Sequence, residues 1–477
     1  LNIAIVGAGW AGLAAAVSAT DAGHQATLFE ASSAIGGRAR ALKAWLPDGS
    51  PVLLDNGQHI LIGAYTETLK MMRLVGVATD QALLKLPMTL QFPDGRGIRF
   101  PNWPTPLDAL AGILGARGWS WCDKWQLLRT AAGWQRNGFD CAPGLSVAAL
   151  CQPLTRRVHA ELIEPLCVSA LNTPAAQASA RVFLRVLRDA LFGVAGGSNL
   201  LLPKTDLTAL FAQPAADWVS QRGGHIHRNA RVLGLRRVQH QWQLHLPDAV
   251  GEDAPSTPAT RLAPTTSMQP APARHFDAVI LATSATHAAQ VLARSGLPAA
   301  TPKFLSNQPP ALIQTALPAT TFITNEWQAW VDTARALRFE AIATVYAWAA
   351  GVRLPQPMLA LRSSATQPAQ FVFDRGALGG PAGLLAFVVS AAAGDRQRLQ
   401  ARVLAQAQAQ LGLTLQAVQT VVEKRATFAC TPGLTRPSQH IAPGLLACGD
   451  HVAGPYPATL EGAVISGISA VQALGTA

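Results

Sequence analysis

Asn2-Ile3-Ala4-Ile5-Val6-Gly7-Ala8-Gly9-Trp10-Ala11-Gly12 decides the fold. Residues 2–6 are a short apolar run with the look of a buried parallel strand, and an alanine-rich helix follows over 12–23. The glycines stand where a strand must turn sharply into a helix. Gly7 permits the turn, Gly9 lets backbone approach a pyrophosphate, and Gly12 lets the helix pack close to the strand. The helix N-terminus then offers unpaired N–H groups to phosphates. Residues 26–30 form the next strand, and Glu30 ends it eighteen residues after Gly12. A carboxylate there accepts both hydroxyls of an adenosine ribose and disfavours a 2′-phosphate. Dinucleotide binding by Gly7, Ala8, Gly9, Trp10, Ala11, Gly12 and Glu30 follows.

Working outward, Ile35-Gly36-Gly37-Arg38 gives a second backbone approach, with Gly37 at the pyrophosphate and the Arg38 guanidinium to neutralise it. Plain NAD-binding Rossmann domains lack this element. Far along the chain, Ala447-Cys448-Gly449-Asp450 follows Leu445-Leu446. Gly449 permits close approach, and Asp450 accepts a hydrogen bond from a ribityl hydroxyl, which FAD has and NAD lacks. Pro457-Ala458-Thr459-Leu460-Glu461-Gly462-Ala463 starts the last helix, and its N-terminal N–H groups at Thr459 and Leu460 suit the electron-rich edge of a flavin. The cofactor expected is FAD, and no metal is expected.

With 477 residues, 49% apolar and 14% charged, the chain is long enough for two domains and rich enough for a large core. Its six cysteines form no metal-ligand spacing and read as reduced thiols. Residues 1–20 are uncharged but lack the basic start of a signal peptide, and 376–394 is broken by Gly379, Gly380 and Pro381, so no membrane span is expected. The formal charge of +11 points to an anionic partner. The bases are scattered and no nucleic-acid motif accompanies them, so an anionic membrane surface is the functional reading and a solvated surface the plain one. Residues 102–139 carry Trp103, Trp119, Trp121, Trp125 and Trp134 among Arg117, Lys124, Arg129 and Arg136. That mixture suits a bilayer interface, and equally a packed helical layer.

The pattern is mostly helical from 65 to 195 and strand-like over 223–246. It is Pro/Ala/Thr-rich over 248–275, which reads as a loop. Strands are expected at 276–282 and 384–390, and an amphipathic helix over 395–411. The fold class expected is α/β, a Rossmann-like FAD-binding domain with an interleaved α+β substrate domain. The first domain takes 1–64, 196–285 and 421–477, and the second 65–195 and 286–420.

These motifs resemble the flavin amine oxidase and phytoene desaturase superfamily over nearly the whole chain. Two longer stretches, Asp55-Asn56-Gly57-Gln58-His59-Ile60-Leu61-Ile62-Gly63-Ala64-Tyr65 and Pro455-Tyr456-Pro457-Ala458-Thr459-Leu460-Glu461-Gly462-Ala463, are similar to its hydroxysqualene dehydroxylase branch. The resemblance implies FAD contacts for Gly57, Gln58, His59 and Val232, a C30 isoprenoid alcohol as substrate, squalene as product, and a place in bacterial squalene and hopanoid synthesis. The cysteines, the +11 charge and the tryptophan segment together give the expected place as cytoplasmic, peripheral on the inner face of the membrane, and the reductant stays open. Removal of an allylic hydroxyl needs an acid, a dry apolar tunnel and cation stabilisation. Candidate acids are Asp55, His59, Tyr456 and Glu461, with His59 and Tyr456 preferred; each also has a structural reading as loop, wall or helix cap. A phytoene-type desaturase, an amine oxidase and a lipid carrier with structural FAD remain alternatives. The 248–275 segment has no place in the family pattern.

Overall fold

The computed structural model describes residues 1–247, 275–295 and 323–475. The 248–275 loop reading therefore falls, but for its last residue, outside the described residues. Strand β1 (Asn2–Val6) leads through the glycine turn into helix α1 (Trp10–Asp21) and back into β2 (Gln25–Phe29). The helix starts two residues earlier than the alanine run suggests, because Gly9 itself is the N-cap. A hairpin of β3 (Ala41–Trp45) and β4 (Pro51–Asp55) follows. The helical layer then includes α2 (Thr66–Leu74), α3 (Leu107–Leu114), α4 (Trp121–Arg136) and α5 (Glu164–Leu171). A capping box between Ser120 and Asp123 starts α4, satisfying two end groups reciprocally.

The chain returns as β5 (His225–His227), β6 (Ala278–Leu281) and α6 (Ala285–Arg294). The second sheet follows: β7 (Phe339–Trp348), β8 (Met358–Ala360), β9 (Phe371–Asp374) and β10 (Leu384–Ser390). Helix α7 (Arg396–Leu411), capped by Asp395, leads to β11 (Gln416–Phe428). The end is β12 (His440–Ala442), β13 (Leu445–Ala447) and α8 (Leu460–Leu474).

The first sheet has the order β5-β2-β1-β6-β13-β12. Its neighbours run parallel up to β13, and β12 closes the edge antiparallel. Strands β1 and β6 are apolar on both faces and almost wholly buried, as parallel strands covered by helices must be. Helix α8 crosses α1 so closely that a Cβ at Gly467 would lie 2.3 Å from the Ala11 carbonyl oxygen. The second sheet is antiparallel, in the order β8-β9-β10-β7-β11. One domain boundary needs correction. The division at 420/421 cuts through β11, which pairs with β7 along its length from Gln416 to Phe428, so residues 421–428 stand with the second sheet. Their alternating, half-buried pattern continues that of 416–420 without a break, and no turn residue marks an end.

Candidate active site

A cleft of about 670 Å³ lies between the two sheets. On one wall are the ends of β1 and β2, the glycine loops, the 56–60 loop and the start of α8. Gly7 has φ +110° and a Cβ there would meet the Ala282 carbonyl oxygen at 2.8 Å, so this turn requires glycine. Gly9 caps α1 without any side-chain hydrogen bond, which leaves the first-turn N–H groups to the cleft. Gly37, at φ +60°, sits against Gly9, so near that an added Cβ would lie 3.1 Å from the Gly9 Cα. The two glycine loops are tied by Gly36 N–H donating to the Ala8 carbonyl at 2.8 Å. This is a cradle of bare backbone with positive helix-end potential, which fits a pyrophosphate. Gly12 is not on the cleft wall; its Cβ would be 1.9 Å from the Gly7 oxygen, so it serves the close packing expected of it.

Glu30 lines the cleft just past β2. Its carboxylate accepts from Ala8 N–H at 2.9 Å and Ser32 N–H at 2.8 Å, which fixes the acid at this end of the cleft. Ala8 is thus a second correction: it is buried, points its N–H at Glu30 and stays off the cleft surface. Around Glu30 stand Arg231, His287 and Arg425, none singled out for the cofactor from sequence. Burial, then the Arg231 and Arg425 charges, lower the His287 pKa, with Glu30 opposing. Val232 lines the same end. Trp10, Ala11, Gly57, Gln58, His59, Gly449, Thr459 and Leu460 also face the cleft. Thr459 caps α8 by accepting from Gly462 N–H at 2.9 Å.

Arg38 and Asp450 were expected as separate contacts, to phosphate and to ribityl chain. They form one ion pair of 2.6 Å, and Arg38 also donates to the Arg425 and Ala426 carbonyls. Burial pushes the Asp450 carboxyl up, but the Arg38 charge beside it and His451 outweigh this and hold it well below the usual carboxylate range.

Of the four candidate acids only His59 lines the cleft. Its Nδ1 lies 2.8 Å from the Gly57 carbonyl, a geometry that makes Nδ1 the donor. Burial lowers its pKa, and the Arg38 charge adds to this against the Gly57 bond. Burial and the Arg38 charge thus favour the neutral ring, with Nε2 an acceptor, against its expected role as a proton donor. Tyr456 lies off the cleft, lining a small side hollow with Arg436, Ser466 and Ser469. Burial and then Asp189 push its phenol up to about 12, and its place off the cleft favours the wall reading over the acid. Glu461 is buried and accepts from the Glu67 and Thr68 N–H groups, both at 2.9 Å; it caps α2, the neighbouring helix, where orphan donors need an acceptor. Asp55 is 1% exposed, accepts from Leu207 N–H at 2.8 Å and pairs with Arg375 at 3.7 Å. Burial, opposed by Arg375, pushes its carboxyl up to about 6. It braces the sheets and does not reach the cleft.

The opposite wall carries an apolar stretch, bordered by the polar Ser169, Asn172, Ser390, Glu423 and Thr427. Ile342, Phe371, Phe373 and Val388 come from the second sheet, and Val168, Ala170 and Leu171 from α5. The alternation Phe371-Val372-Phe373 was the one sequence signal for it, since period two puts both rings on one face. Tyr65 also lines the cleft; burial, then Glu461, raise its phenol above the ordinary value. Among the described residues no lysine lines the cleft, and Trp10 is its one tryptophan.

The family described as flavin containing amine oxidoreductase matches residues 10–475. Hydroxysqualene dehydroxylases of Sinorhizobium fredii and Zymomonas mobilis are 24% and 27% identical over 248 and 257 residues. Each match covers 50% of this chain and 55% of the relative, so the chain spans about half the length of the curated relatives it matches. A 15-cis-phytoene desaturase of Glycine max is 27% identical over 244 residues, 49% of this chain and 42% of that protein. Among solved structures, an oxidoreductase from Methanosarcina mazei superposes with a TM-score of 0.67 at 14% identity, covering 99% of this chain and 100% of its own. Cyclohexylamine oxidase from Brevibacterium oxydans gives 0.61 at 14% identity, over 100% and 99%.

Proposed function

This chain belongs to the flavin containing amine oxidoreductase family and takes FAD as its cofactor, and on that premise we propose that it reductively removes the hydroxyl of a C30 isoprenoid alcohol, hydroxysqualene, to give squalene. The observation that carries the reading is the two-sided cleft, with flavin loops on one wall and Phe371, Phe373, Ile342 and Val388 on the other. An extended hydrocarbon is desolvated along such a wall at about 25 cal/mol per Å² buried. The aromatic faces stabilise positive charge developing at an allylic carbon.

The net change is R–OH plus two electrons and two protons to R–H plus water. Bound FAD supplies the two-electron redox chemistry. The chain excludes water with the apolar wall and binds the hydroxyl. His59, with Nδ1–H held by Gly57, offers Nε2 to accept the substrate O–H and orient it. The leaving oxygen takes its proton from water; the Tyr65 phenol, held protonated by burial and Glu461, is a weak acid that can only hydrogen-bond to it. Among the described residues no lysine lines the cleft, and the amine oxidase reading needs one. The desaturase reading shares the apolar wall and stays the alternative, as relatives of both kinds match.

Anaerobic incubation of chemically reduced protein with hydroxysqualene, followed by extraction, should yield squalene in step with flavin oxidation. His59→Ala should slow this by about 10²-fold with FAD retained, and Tyr456→Phe should not. Untouched alcohol, with double bonds introduced into squalene or phytoene by oxidised protein, would replace this reading with desaturation.

We also propose that α3 and α4 rest on an anionic bilayer, from which such a lipid enters. The five tryptophans divide: Trp119 and Trp134 are buried in the core, while Trp103, Trp121 and Trp125 are exposed, Trp121 at 76%. Leu107, Leu110 and Leu114 lie exposed along α3, and Lys124 stands over the Trp121 ring at 5.2 Å. No helix of the described residues is long and apolar enough to cross a membrane, so the contact proposed is interfacial. The protein should sediment with anionic liposomes at low salt, and a Trp121→Glu/Trp125→Glu double variant should not. Equal binding of both proteins would remove this face from the account.

A further inference from the structure

Loop 56–60 on the flavin wall is held from the opposite sheet. Gln58 N–H donates to Thr344 Oγ1 of β7 at 3.3 Å, and Tyr346 of the same strand donates its O–H to the Asp55 carbonyl at 2.9 Å. Arg375, one residue past β9, is 5% exposed. It donates from Nη1 to Gln58 Oε1 at 3.1 Å while Nη2 faces Asp55 Oδ2 at 3.7 Å. A guanidinium has five donors and no acceptor, so it dictates which end of the Gln58 amide faces it. The oxygen must face Arg375, and the NH₂ must face the other way. One Nε2 hydrogen goes to the His59 carbonyl at 3.3 Å. The second meets no acceptor among the described residues, and Gln58 lines the cleft.

We propose that Arg375 is a positioning residue for the cofactor: it fixes the Gln58 amide so that Nε2–H is presented on the cleft wall as a donor to an acceptor atom of the bound flavin ring. Asp55, which the sequence offered as an acid, serves this device by neutralising and aiming the guanidinium. The arrangement ties the second sheet to the flavin wall through a buried charge that would otherwise be costly to keep. A neutral donor at the ring favours the electron-rich reduced cofactor over the oxidised one. The inference rests on the flavin site alone and not on the identity of the substrate.

The test uses the purified holoprotein and reads the FAD dissociation constant, the flavin midpoint potential and the melting temperature. Gln58→Glu keeps an oxygen on Arg375 but has no N–H; Gln58→Met has no N–H and adds no charge. Both should weaken FAD binding roughly 3- to 10-fold, the value of one hydrogen bond, and lower the potential, with the Gln58→Glu melting temperature unchanged. Arg375→Gln, which frees the amide to turn over, should shift both readings in the same direction, and Arg375→Lys, a point donor on a flexible stem, should recover only part. Wild-type affinity and potential in Gln58→Met overturn the proposal, and so does an effect confined to Gln58→Glu, which would be charge alone. Loss of melting temperature in Arg375→Gln beside normal flavin readings in Gln58→Met would make the arginine a brace only. If Arg375→Gln does not fold, the two Gln58 variants decide. A protein that fails to reduce the alcohol leaves these flavin readings intact, so the two ideas fail separately.

Discussion

Gly12→Ala should purify colourless. Local propensity points the other way, because alanine in a helix interior is favoured over glycine by about 1 kcal/mol. The added methyl, however, would lie 1.9 Å from the Gly7 carbonyl oxygen and 3.0 Å from the Ala282 Cβ. Both neighbours belong to the strand ends that form the phosphate cradle, and neither is a flexible side-chain tip. Relief requires the start of α1 to move away from β1, which pulls the first-turn N–H groups off the pyrophosphate. Overpacking of this kind costs typically about 1–3 kcal/mol and more when backbone must shift. We expect FAD affinity to fall by at least about 100-fold, read as the flavin absorbance kept through purification. Gly133→Ala on α4, where an added Cβ meets nothing within 4 Å, is the control and should be neutral or slightly stabilising. A yellow Gly12→Ala protein with unchanged melting temperature would contradict the packing account.

Asp450→Asn should weaken FAD binding by about 10- to 100-fold at pH 7. The wild-type carboxylate balances Arg38 at 2.6 Å and faces the cleft with oxygen lone pairs to spare. Removing the charge leaves the guanidinium with the Arg425 and Ala426 carbonyls. Since the Arg38 side chain is 37% exposed, water compensates part of the loss, and the stability cost is about 1–2 kcal/mol and not the full value of a buried pair. The pH dependence has a definite sign. Asp450 holds its proton less tightly in the folded protein than its ordinary value of 3.8. Its contribution to stability is thus complete above that value and lost as pH falls below it. The gap in melting temperature between wild type and Asp450→Asn, open at pH 7, should close as the pH falls below about 4. A gap of constant size down to pH 3 would show that the pair does not carry it.

The glycine loops of the cleft were legible because they are made of backbone. Gly7, Gly12, Gly37 and Gly449 are needed for turns and close approach, so the sequence shows them directly. Glu30 was legible for the same reason: its distance from Gly12 is one helix plus one strand. The catalytic candidates were not, since a carboxylate in a quoted motif does not reveal which way it points. Glu461 turns to the start of α2, Asp55 to Leu207 and Arg375, and Tyr456 to a side hollow. The groups they meet, Thr68 for Glu461, Leu207 and Arg375 for Asp55, and Arg185 and Asp189 for Tyr456, all lie more than 100 residues away in the chain. The apolar stretch opposite the glycine loops had only the Phe371–Phe373 alternation as a signal, and Arg375, just past β9, had none. The tryptophan segment offered both a packed and an exposed reading, and the structure divides it between them, Trp119 and Trp134 buried and Trp103, Trp121 and Trp125 exposed.

The most direct measurement is the flavin itself. Protein purified without added cofactor is denatured, and the released chromophore is chromatographed beside FAD and FMN standards and counted against protein. The glycine cradle, Glu30 and the Arg38–Asp450 pair require one FAD per chain. FMN, which lacks the adenosine that Glu30 is placed to hold, or a protein that neither carries nor takes up FAD, would contradict the account.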